Sequence, residues 1–175
     1  MKPTKKLSLF IISGASGVGK STACEILFQN QKDYVVLESD IWWDKKYDTP
    51  ADGYREYRER WLTLCANVSQ IGMPCVLCGC ADPDQFEKTT ARGLFSVIHY
   101  LAVVCDEEIL KRRLTKGRGI CDDSHIAGSL CFNRWLKVNG NKTEPKMEIL
   151  DNSCLTAKET AEKIHNWIRN KGLKD

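Results

Sequence analysis

The glycine-rich segment near the start of the chain constrains the fold more than any other feature. An apolar, β-prone run over residues 7–12 leads into Gly14-Ala15-Ser16-Gly17-Val18-Gly19-Lys20-Ser21, which fits the pattern G-x-x-x-x-G-K-[ST]. Glycines let successive backbone N–H groups turn inward and form a nest for an anion. The helix expected to begin near Lys20 adds the positive end of its dipole. The segment therefore predicts a strand, a phosphate-binding loop and a helix, in that order.

The residues of this phosphate loop, defined here as residues 14–21, have separate expected roles. Lys20 should reach the β- and γ-phosphates of a nucleoside triphosphate, and the Ser21 hydroxyl should bind Mg²⁺. The predicted nucleotide-binding residues are Gly14, Ala15, Ser16, Gly17, Val18, Gly19, Lys20, Ser21 and Thr22. The alternative is a glycine-rich turn that matches by chance, which the strand before it and the helix after it disfavour.

Length and charge limit the class of protein. A chain of 175 residues suits one domain with its own core, and we predict a single domain over residues 1–175. The net charge of +3 and the dispersed basic residues predict no nucleic-acid partner. The apolar run after the basic segment 1–6 is too short for a signal peptide or a membrane span. We therefore expect a soluble, cytoplasmic protein without a membrane partner, either a monomer or a homodimer.

The nine cysteines are consistent with reduced thiols in an intracellular protein. Cys75 and Cys78 have the spacing of half a zinc site, but a strand would point the two side chains to opposite faces. Cys121, His125 and Cys131 leave open a metal-clamped loop, with ordinary reduced cysteines as the alternative.

Apolar periodicity divides the rest of the chain into alternating strands and helices. The predicted later strands cover residues 34–39, 76–79, 97–105 and 147–150. The predicted helices cover residues 20–29, 54–68, 106–116, a short piece after Pro83, and a last helix that begins with a capping box at Thr156. Such alternation implies an α/β fold with a parallel sheet covered on both faces. Ligands then bind at the carboxyl ends of the strands.

Asp40 follows the second predicted strand, at the sheet edge where the phosphate loop also lies. Its carboxylate could accept a proton from an acceptor hydroxyl or hold Mg²⁺ through water, and a loop or helix-cap aspartate is the alternative. Glu38 is a weaker candidate that shares a face with Asp40 if the strand is regular. Trp42 and Trp43 come next, and one of them should line a pocket or the surface, where it could stack on an acceptor molecule.

Arginines provide the remaining candidates. Arg113 and Arg118 border a segment broken by glycines, residues 117–140, which we predict to be a short lid over the nucleotide, with the two guanidinium groups stabilising charge on the transferred phosphate. Arg58 is a candidate for binding the acceptor. Its neighbours Arg55 and Arg60 alternate with glutamates, a pattern typical of a solvated helix face.

Together these features resemble the nucleoside- and nucleotide-kinase-like branch of the P-loop proteins, which includes adenylate, shikimate and gluconate kinases and the chloramphenicol phosphotransferases. The resemblance is carried by the phosphate loop, Asp40, and Arg113 and Arg118 at the lid entry. It implies a three-layer α/β/α fold with a five-stranded parallel sheet of order 2-3-1-4-5, bound ATP and Mg²⁺, and an acceptor pocket between the ends of strands two and three. The sequence differs in having Glu38-Ser39-Asp40 where shikimate kinases have Asp-x-Asp.

The resulting prediction is an ATP-dependent phosphotransferase acting on a hydroxyl of a small molecule, which could be nucleoside-like, sugar-like or an antibiotic. A nucleoside-monophosphate kinase is the first alternative, since Arg55, Arg58 and Arg60 could bind an acceptor phosphate. A P-loop GTPase or ATPase switch is the alternative of another class. It depends on Asn141-Lys142-Thr143-Glu144, a partial match to the guanine-specifying N-K-x-D that follows no predicted strand.

Overall fold

The alternation of strands and helices expected from the sequence is present in the computed structural model, which describes residues 7–172. The basic segment 1–6 lies outside the described residues. The strands are β1 (Leu9–Ser13), β2 (Val35–Glu38), β3 (Cys75–Cys78), β4 (Ile98–Val104) and β5 (Met147–Asp151). The helices are α1 (Lys20–Asn30), α2 (Arg55–Ser69), α3 (Asp84–Glu87), α4 (Glu107–Arg112), α5 (Asp123–Asn139) and α6 (Ala157–Gly172).

The five strands form one parallel sheet in the order β2-β3-β1-β4-β5. β1 is central, and Leu9 pairs with Cys75 of β3 on one side and with Ile98 of β4 on the other. All five residues of β1 are buried, as expected of an inner strand of a parallel sheet. The strand order implied by the resemblance is confirmed.

Alternate side chains of β1 face two separate cores, one on each side of the sheet. Leu9 and Ile11 belong to a core that includes Trp61 of α2. Phe10 and Ile12 belong to the other, with residues of α1 and α6 such as Ile164. The sheet is thus covered by helices on both faces, and the three-layer α/β/α arrangement is confirmed.

The segment 117–140 differs from the expected polar lid because most of it is a helix. α5 has 17 residues, and the Asp122 carboxylate accepts a hydrogen bond from the Ser124 backbone N–H at 2.9 Å. Asn133 lies on the buried face and bonds the backbone of Cys105 in both directions, at 3.1 and 2.8 Å. Buried polar residues such as Asn133 interrupt the apolar period, which explains why the pattern did not indicate a helix.

The connection after β2 determines the position of Asp40. β2 ends at Glu38, and Asp40 lies in a 3₁₀ turn over Ser39–Trp42, so the two carboxylates do not share a face of one regular strand. Further short turns cover Lys45–Tyr47 and Pro50–Asp52 before α2 begins.

Within residues 7–172, every helix is too short or too polar to cross a bilayer.

Candidate functional site

The phosphate loop packs tightly enough that two of its positions require glycine. A Cβ at Gly14 would lie 2.5 Å from the Val103 carbonyl oxygen, which is backbone and cannot move aside. A Cβ at Gly17 would lie 2.7 Å from Leu114, and the backbone there has φ +79°, in the left-handed region that favours glycine. The loop therefore curls against β4 and the turn after α4, which is the geometry that an anion nest needs.

Lys20 begins α1 and is only 4% exposed. Its Nζ donates to the Ala15 carbonyl oxygen at 3.1 Å and lies 3.6 Å from Cys80 Sγ. Burial by itself would lower the pKa of Lys20, but the negative potential of Cys80, Cys78, Asp40 and Glu38 outweighs it, and the net pKa is raised. Lys20 forms no ion pair with a carboxylate among the described residues. A buried ammonium without an ion-pair partner indicates a site for an anionic ligand.

A cavity of about 480 Å³ lies over this lysine. The residues predicted from the sequence that line it are Ser16, Gly17, Gly19, Lys20, Ser21, Thr22, Asp40, Arg113 and Arg118. The residues that sequence reasoning did not assign are Gly117, Asn152, Leu155, Ala157 and Thr160. The fold thus brings most of the predicted nucleotide-binding residues and all of the predicted catalytic residues to one cavity.

Arg113 and Asn152 fix the outer part of the phosphate loop. Arg113 Nη1 donates to the Val18 carbonyl oxygen at 2.8 Å and to Asn152 Oδ1 at 3.3 Å. Asn152 is buried and donates to the same Val18 oxygen at 2.9 Å. Asn152 follows the predicted strand 147–150 and so stands at the expected edge of the sheet, but only the structure shows that its amide supports the loop.

Arg118 and His125 both contact the hydroxyl of Ser16. Arg118 Nη1 donates to Ser16 Oγ at 2.9 Å, and His125 Nε2 lies 3.3 Å from the same oxygen. Arg118 follows a single π-helical turn, Arg113–Gly117, and His125 lies in the first turn of α5. Two side chains of the predicted lid therefore meet the phosphate loop at one atom.

Two carboxylates lie beside the loop. Asp40 lines the cavity, and within residues 7–172 its Oδ1 accepts a single long hydrogen bond, 3.4 Å, from the Ser39 hydroxyl. Glu38 Oε1 is buried and has no hydrogen-bond partner within the described part of the chain. Carboxylate and hydroxyl oxygens are the ligands that Mg²⁺ takes, alone or through water. The orphaned Glu38 oxygen, Asp40 and the exposed Ser21 hydroxyl are thus a donor set that fits a magnesium–nucleotide complex.

Trp42 and Trp43 are both about half exposed, and neither lines this cavity. Trp42 makes an edge contact with Trp61 at 5.4 Å between ring centroids, and Trp43 makes one with Tyr57 at 5.2 Å. Both rings thus reach the surface, where at least one of them was expected, and their edges also pack against aromatic residues of α2. Trp42 ends the 3₁₀ turn and Trp43 directly follows it.

Arg58 is buried, unlike its exposed neighbours Arg55 and Arg60. Its Nε donates to Gln85 Oε1 at 3.0 Å, and its Nη2 donates to the Cys80 carbonyl oxygen at 2.7 Å. Burial lowers the pKa of Arg58. The alternating charge pattern therefore does not describe a solvated face at this position. Arg58 supports the loop after β3 and lines neither the 480 Å³ cavity nor a second cavity, of about 810 Å³, described below.

A second cavity, of about 810 Å³, lies between the start of α2, the loop after β3, and α5. Its charged lining residues are Asp52, Arg55, Asp82, Asp84, Lys88 and Glu144. Lys88 forms an ion pair with Asp84 at 2.6 Å, and burial raises the pKa of Asp82. Carboxylates therefore outnumber basic groups in this cavity.

The alternative of a metal-clamped loop is not supported by the geometry. Among residues 7–172, no three histidine, cysteine or acidic side chains come together closely enough to hold a metal ion. His125 is turned toward Ser16, while Cys121 and Cys131 are exposed free thiols.

Comparisons with known proteins agree with this architecture. The family model described as AAA domain matches residues 11–125. The tunicamycin resistance protein of Deinococcus radiodurans is 14% identical, with a TM-score of 0.64 over 94% of this chain and 96% of that one. A gluconokinase from Sinorhizobium meliloti is 16% identical, with a TM-score of 0.59 over 94% and 97%. A sugar kinase from Janibacter is 16% identical, with a TM-score of 0.62 over 96% and 97%.

No curated protein matches the sequence. At these identities the solved structures show a shared fold, and they confirm the resemblance to P-loop kinases at that level.

Proposed function

This chain belongs to the AAA domain family, and we propose that it is an ATP-dependent phosphotransferase that moves the γ-phosphate of ATP to a hydroxyl of a small molecule. The observation that supports this most is the single cavity lined by Lys20, Asp40 and Arg118. It combines a buried cation that can bind a phosphate, a carboxylate that can accept the proton of an acceptor hydroxyl, and a guanidinium on a long side chain that can stabilise developing charge. The solved structures that share the fold include a gluconokinase and a sugar kinase, which also supports a hydroxyl acceptor.

Each group has a proposed task. The phosphate loop binds the β- and γ-phosphates through its backbone N–H groups and Lys20. Ser21, with Asp40 and Glu38 through water, would hold Mg²⁺, which neutralises phosphate charge when bound. Asp40 orients the acceptor hydroxyl and takes its proton. Arg113 and Arg118 both line the cavity but have different proposed roles, because Arg113 is hydrogen-bonded to the Val18 backbone and Asn152 while Arg118 bonds only the Ser16 side chain among the described residues.

We propose that the 810 Å³ cavity receives the body of the acceptor and that the reacting hydroxyl extends from it to Asp40 in the cavity over Lys20. Asp82, Asp84 and Gln85, which line it, follow β3 and therefore stand at the same sheet edge as the phosphate loop. A cavity with more carboxylates than basic groups suits a neutral or cationic hydroxyl compound and repels an acceptor phosphate. This charge balance favours a sugar-like or antibiotic-like alcohol over the nucleoside-monophosphate kinase alternative.

Nothing at the site favours the switch alternative. Asn141 and Lys142 belong to a short 3₁₀ turn, Gly140–Lys142, that follows α5, not a strand. Thr143 and Glu144 line the 810 Å³ cavity and not the cavity over Lys20.

The test is ATP and GTP consumption by the purified protein with a panel of nucleosides, nucleoside monophosphates, sugars and antibiotics. We expect ATP consumption that depends on one class of hydroxyl acceptor and yields its phosphate monoester, seen by mass spectrometry. Turnover with nucleoside monophosphates alone would instead establish the first alternative. Tight retention of guanine nucleotide without an acceptor requirement would establish the switch.

Replacement of Arg118 by alanine should reduce turnover by about a hundredfold or more, the scale of losing one preorganised charge stabiliser. The melting temperature should change little, because the side chain is exposed. Arg112→Ala is the matched control, since Arg112 is also an exposed arginine of this region but does not line the cavity. Equal turnover in the two variants would show that Arg118 has no part in the reaction.

Replacement of Trp43 by alanine should weaken acceptor binding by about 1–3 kcal/mol, the free energy of stacking one aromatic ring on a ligand. The measurement is the change in the KM for the acceptor. Trp43 follows Asp40 by three residues in the sequence and its ring is about half exposed, so we propose that it offers a face to an acceptor held at Asp40. Phe28→Ala removes an exposed ring from α1, on the other side of the loop, and serves as the control. A Trp43 variant with an unchanged acceptor KM, or with an equal change in ATP KM, would contradict the assignment.

A further inference from the structure

The hydroxyl of Ser16 joins the phosphate loop to two parts of the lid. Arg118 reaches it from the segment before α5, and His125 reaches it from the first turn of α5, at 2.9 and 3.3 Å. These are contacts between side chains more than 100 residues apart in the sequence. Together they fasten the lid to the middle of the loop.

The chemistry of the three groups determines which one donates and which one accepts in each hydrogen bond. A guanidinium can only donate, so Ser16 Oγ accepts from Arg118. The hydroxyl proton of Ser16 is then free to donate to a ring nitrogen. A neutral imidazole with its proton on Nδ1 offers Nε2 as that acceptor, which completes a chain from Arg118 through Ser16 to His125. Such chains polarise each member and hold it in one orientation.

The position of this chain connects it to the proposed reaction. Ser16 and Arg118 line the 480 Å³ cavity together with Lys20, where the proposed phosphates bind. His125 does not line the cavity. His125 belongs to a 17-residue helix whose first turn is capped by Asp122, so the backbone that carries its ring is well ordered.

We propose that His125 is a positioning residue: through the Ser16 hydroxyl it keeps Arg118 over the phosphate loop before the nucleotide binds. The catalytic benefit assigned to this contact rests on the proposed function. Arg118 then needs only a small movement to leave the hydroxyl for the transferred phosphoryl group. Groups held near their working positions in advance lose less in the transition state, which is where their effect on rate arises.

The first test measures lid anchoring without any substrate. Amide hydrogen exchange over residues 117–125 is compared in the wild type, Ser16→Ala, His125→Ala and the double variant. We expect faster exchange in each single variant and no further increase in the double variant, because both changes break one chain. Lys116→Ala, which shortens an exposed side chain next to the measured segment, should exchange like the wild type. Unchanged exchange in Ser16→Ala and His125→Ala would overturn the proposal.

The second test is kinetic and uses an acceptor found in the panel. His125→Ala should lower kcat by about ten- to a hundredfold, the scale of a misplaced group, while the ATP KM changes little. In an Arg118→Ala background the same change should have no further effect. His125→Gln, whose amide oxygen can accept from Ser16, should recover part of the rate. Equal losses from His125→Ala with and without Arg118 would show that His125 acts independently and would overturn the proposal.

The two tests separate the failure of this inference from the failure of the proposed function. If no acceptor supports turnover but exchange responds as expected, the lid anchor stands and the phosphotransferase proposal fails, together with the purpose assigned to the anchor. If turnover is found but neither amide exchange nor kcat changes in His125→Ala, the phosphotransferase proposal stands and the positioning role fails.

Discussion

Lys20→Met is expected to reduce ATP turnover by about a hundred- to a thousandfold while leaving the fold intact, the scale reported for removing one preorganised group that faces developing charge. Methionine keeps a long unbranched stem in the buried position and removes only the cation. Because Lys20 has no ion-pair partner among the described residues, the loss should not leave a carboxylate unpaired. The measurements are steady-state ATP consumption and thermal unfolding of the same preparation.

The stability readout makes this test decisive. The surroundings of Lys20 favour its charged form, as its raised pKa shows, and Nζ donates to the buried Ala15 carbonyl oxygen, so the methionine variant should stay folded but unfold at a somewhat lower temperature than the wild type. Lys32→Met, at an exposed lysine after α1, is the control and should change neither quantity. Wild-type turnover in Lys20→Met would refute the kinase proposal, whereas loss of both activity and folding would leave Lys20 a structural role instead.

Sequence reasoning predicted the parts of the structure in which local pattern and tertiary environment agree. The phosphate loop is specified by glycines at positions where the chain has no room for a Cβ, so a short pattern was sufficient. The strand order came from the resemblance and not from periodicity. The convergence of Asp40 with the loop followed from the rule that parallel strands end at one edge of a sheet.

The parts that were missed depend on partners distant in sequence. Arg55, Arg58 and Arg60 look alike in a pattern of alternating charge, but only Arg58 lies among Tyr54, Trp61 and Cys65 on the buried face. Its spacing of four and three from Tyr54 and Trp61 was a signal that could have identified it.

His125 offered no comparable signal. Its partner Ser16 lies 109 residues away, and the helix that presents it includes the buried Asn133, which satisfies backbone groups of Cys105. Amide side chains that replace backbone partners are polar in sequence and buried in space. Such positions weaken the apolar period of the very helices that they stabilise.

Asp40→Asn is expected to leave ATP-analogue affinity nearly unchanged and to reduce phosphoryl transfer by about a hundred- to ten-thousandfold, the range for loss of a positioned general base. Asparagine keeps the size of the side chain and one acceptor oxygen, but its amide cannot take a proton from a hydroxyl. Asp40 suits this role because it is exposed to the cavity over Lys20, and from the described part of the chain its Oδ1 accepts only the 3.4 Å hydrogen bond of Ser39. Lone pairs therefore remain free for an acceptor.

Two titrations on each variant test the assignment, one with a non-hydrolysable ATP analogue at several Mg²⁺ concentrations and one with the acceptor. Asp48→Asn, at an exposed aspartate of the same connection, is the control and should behave like the wild type. If Asp40→Asn raises the Mg²⁺ requirement and transfer recovers at high Mg²⁺, the carboxylate holds the metal instead of the proton. If transfer proceeds at the normal rate, the acceptor hydroxyl does not lie at Asp40, and Glu38, whose buried Oε1 lacks a partner in the described chain, becomes the carboxylate to replace next.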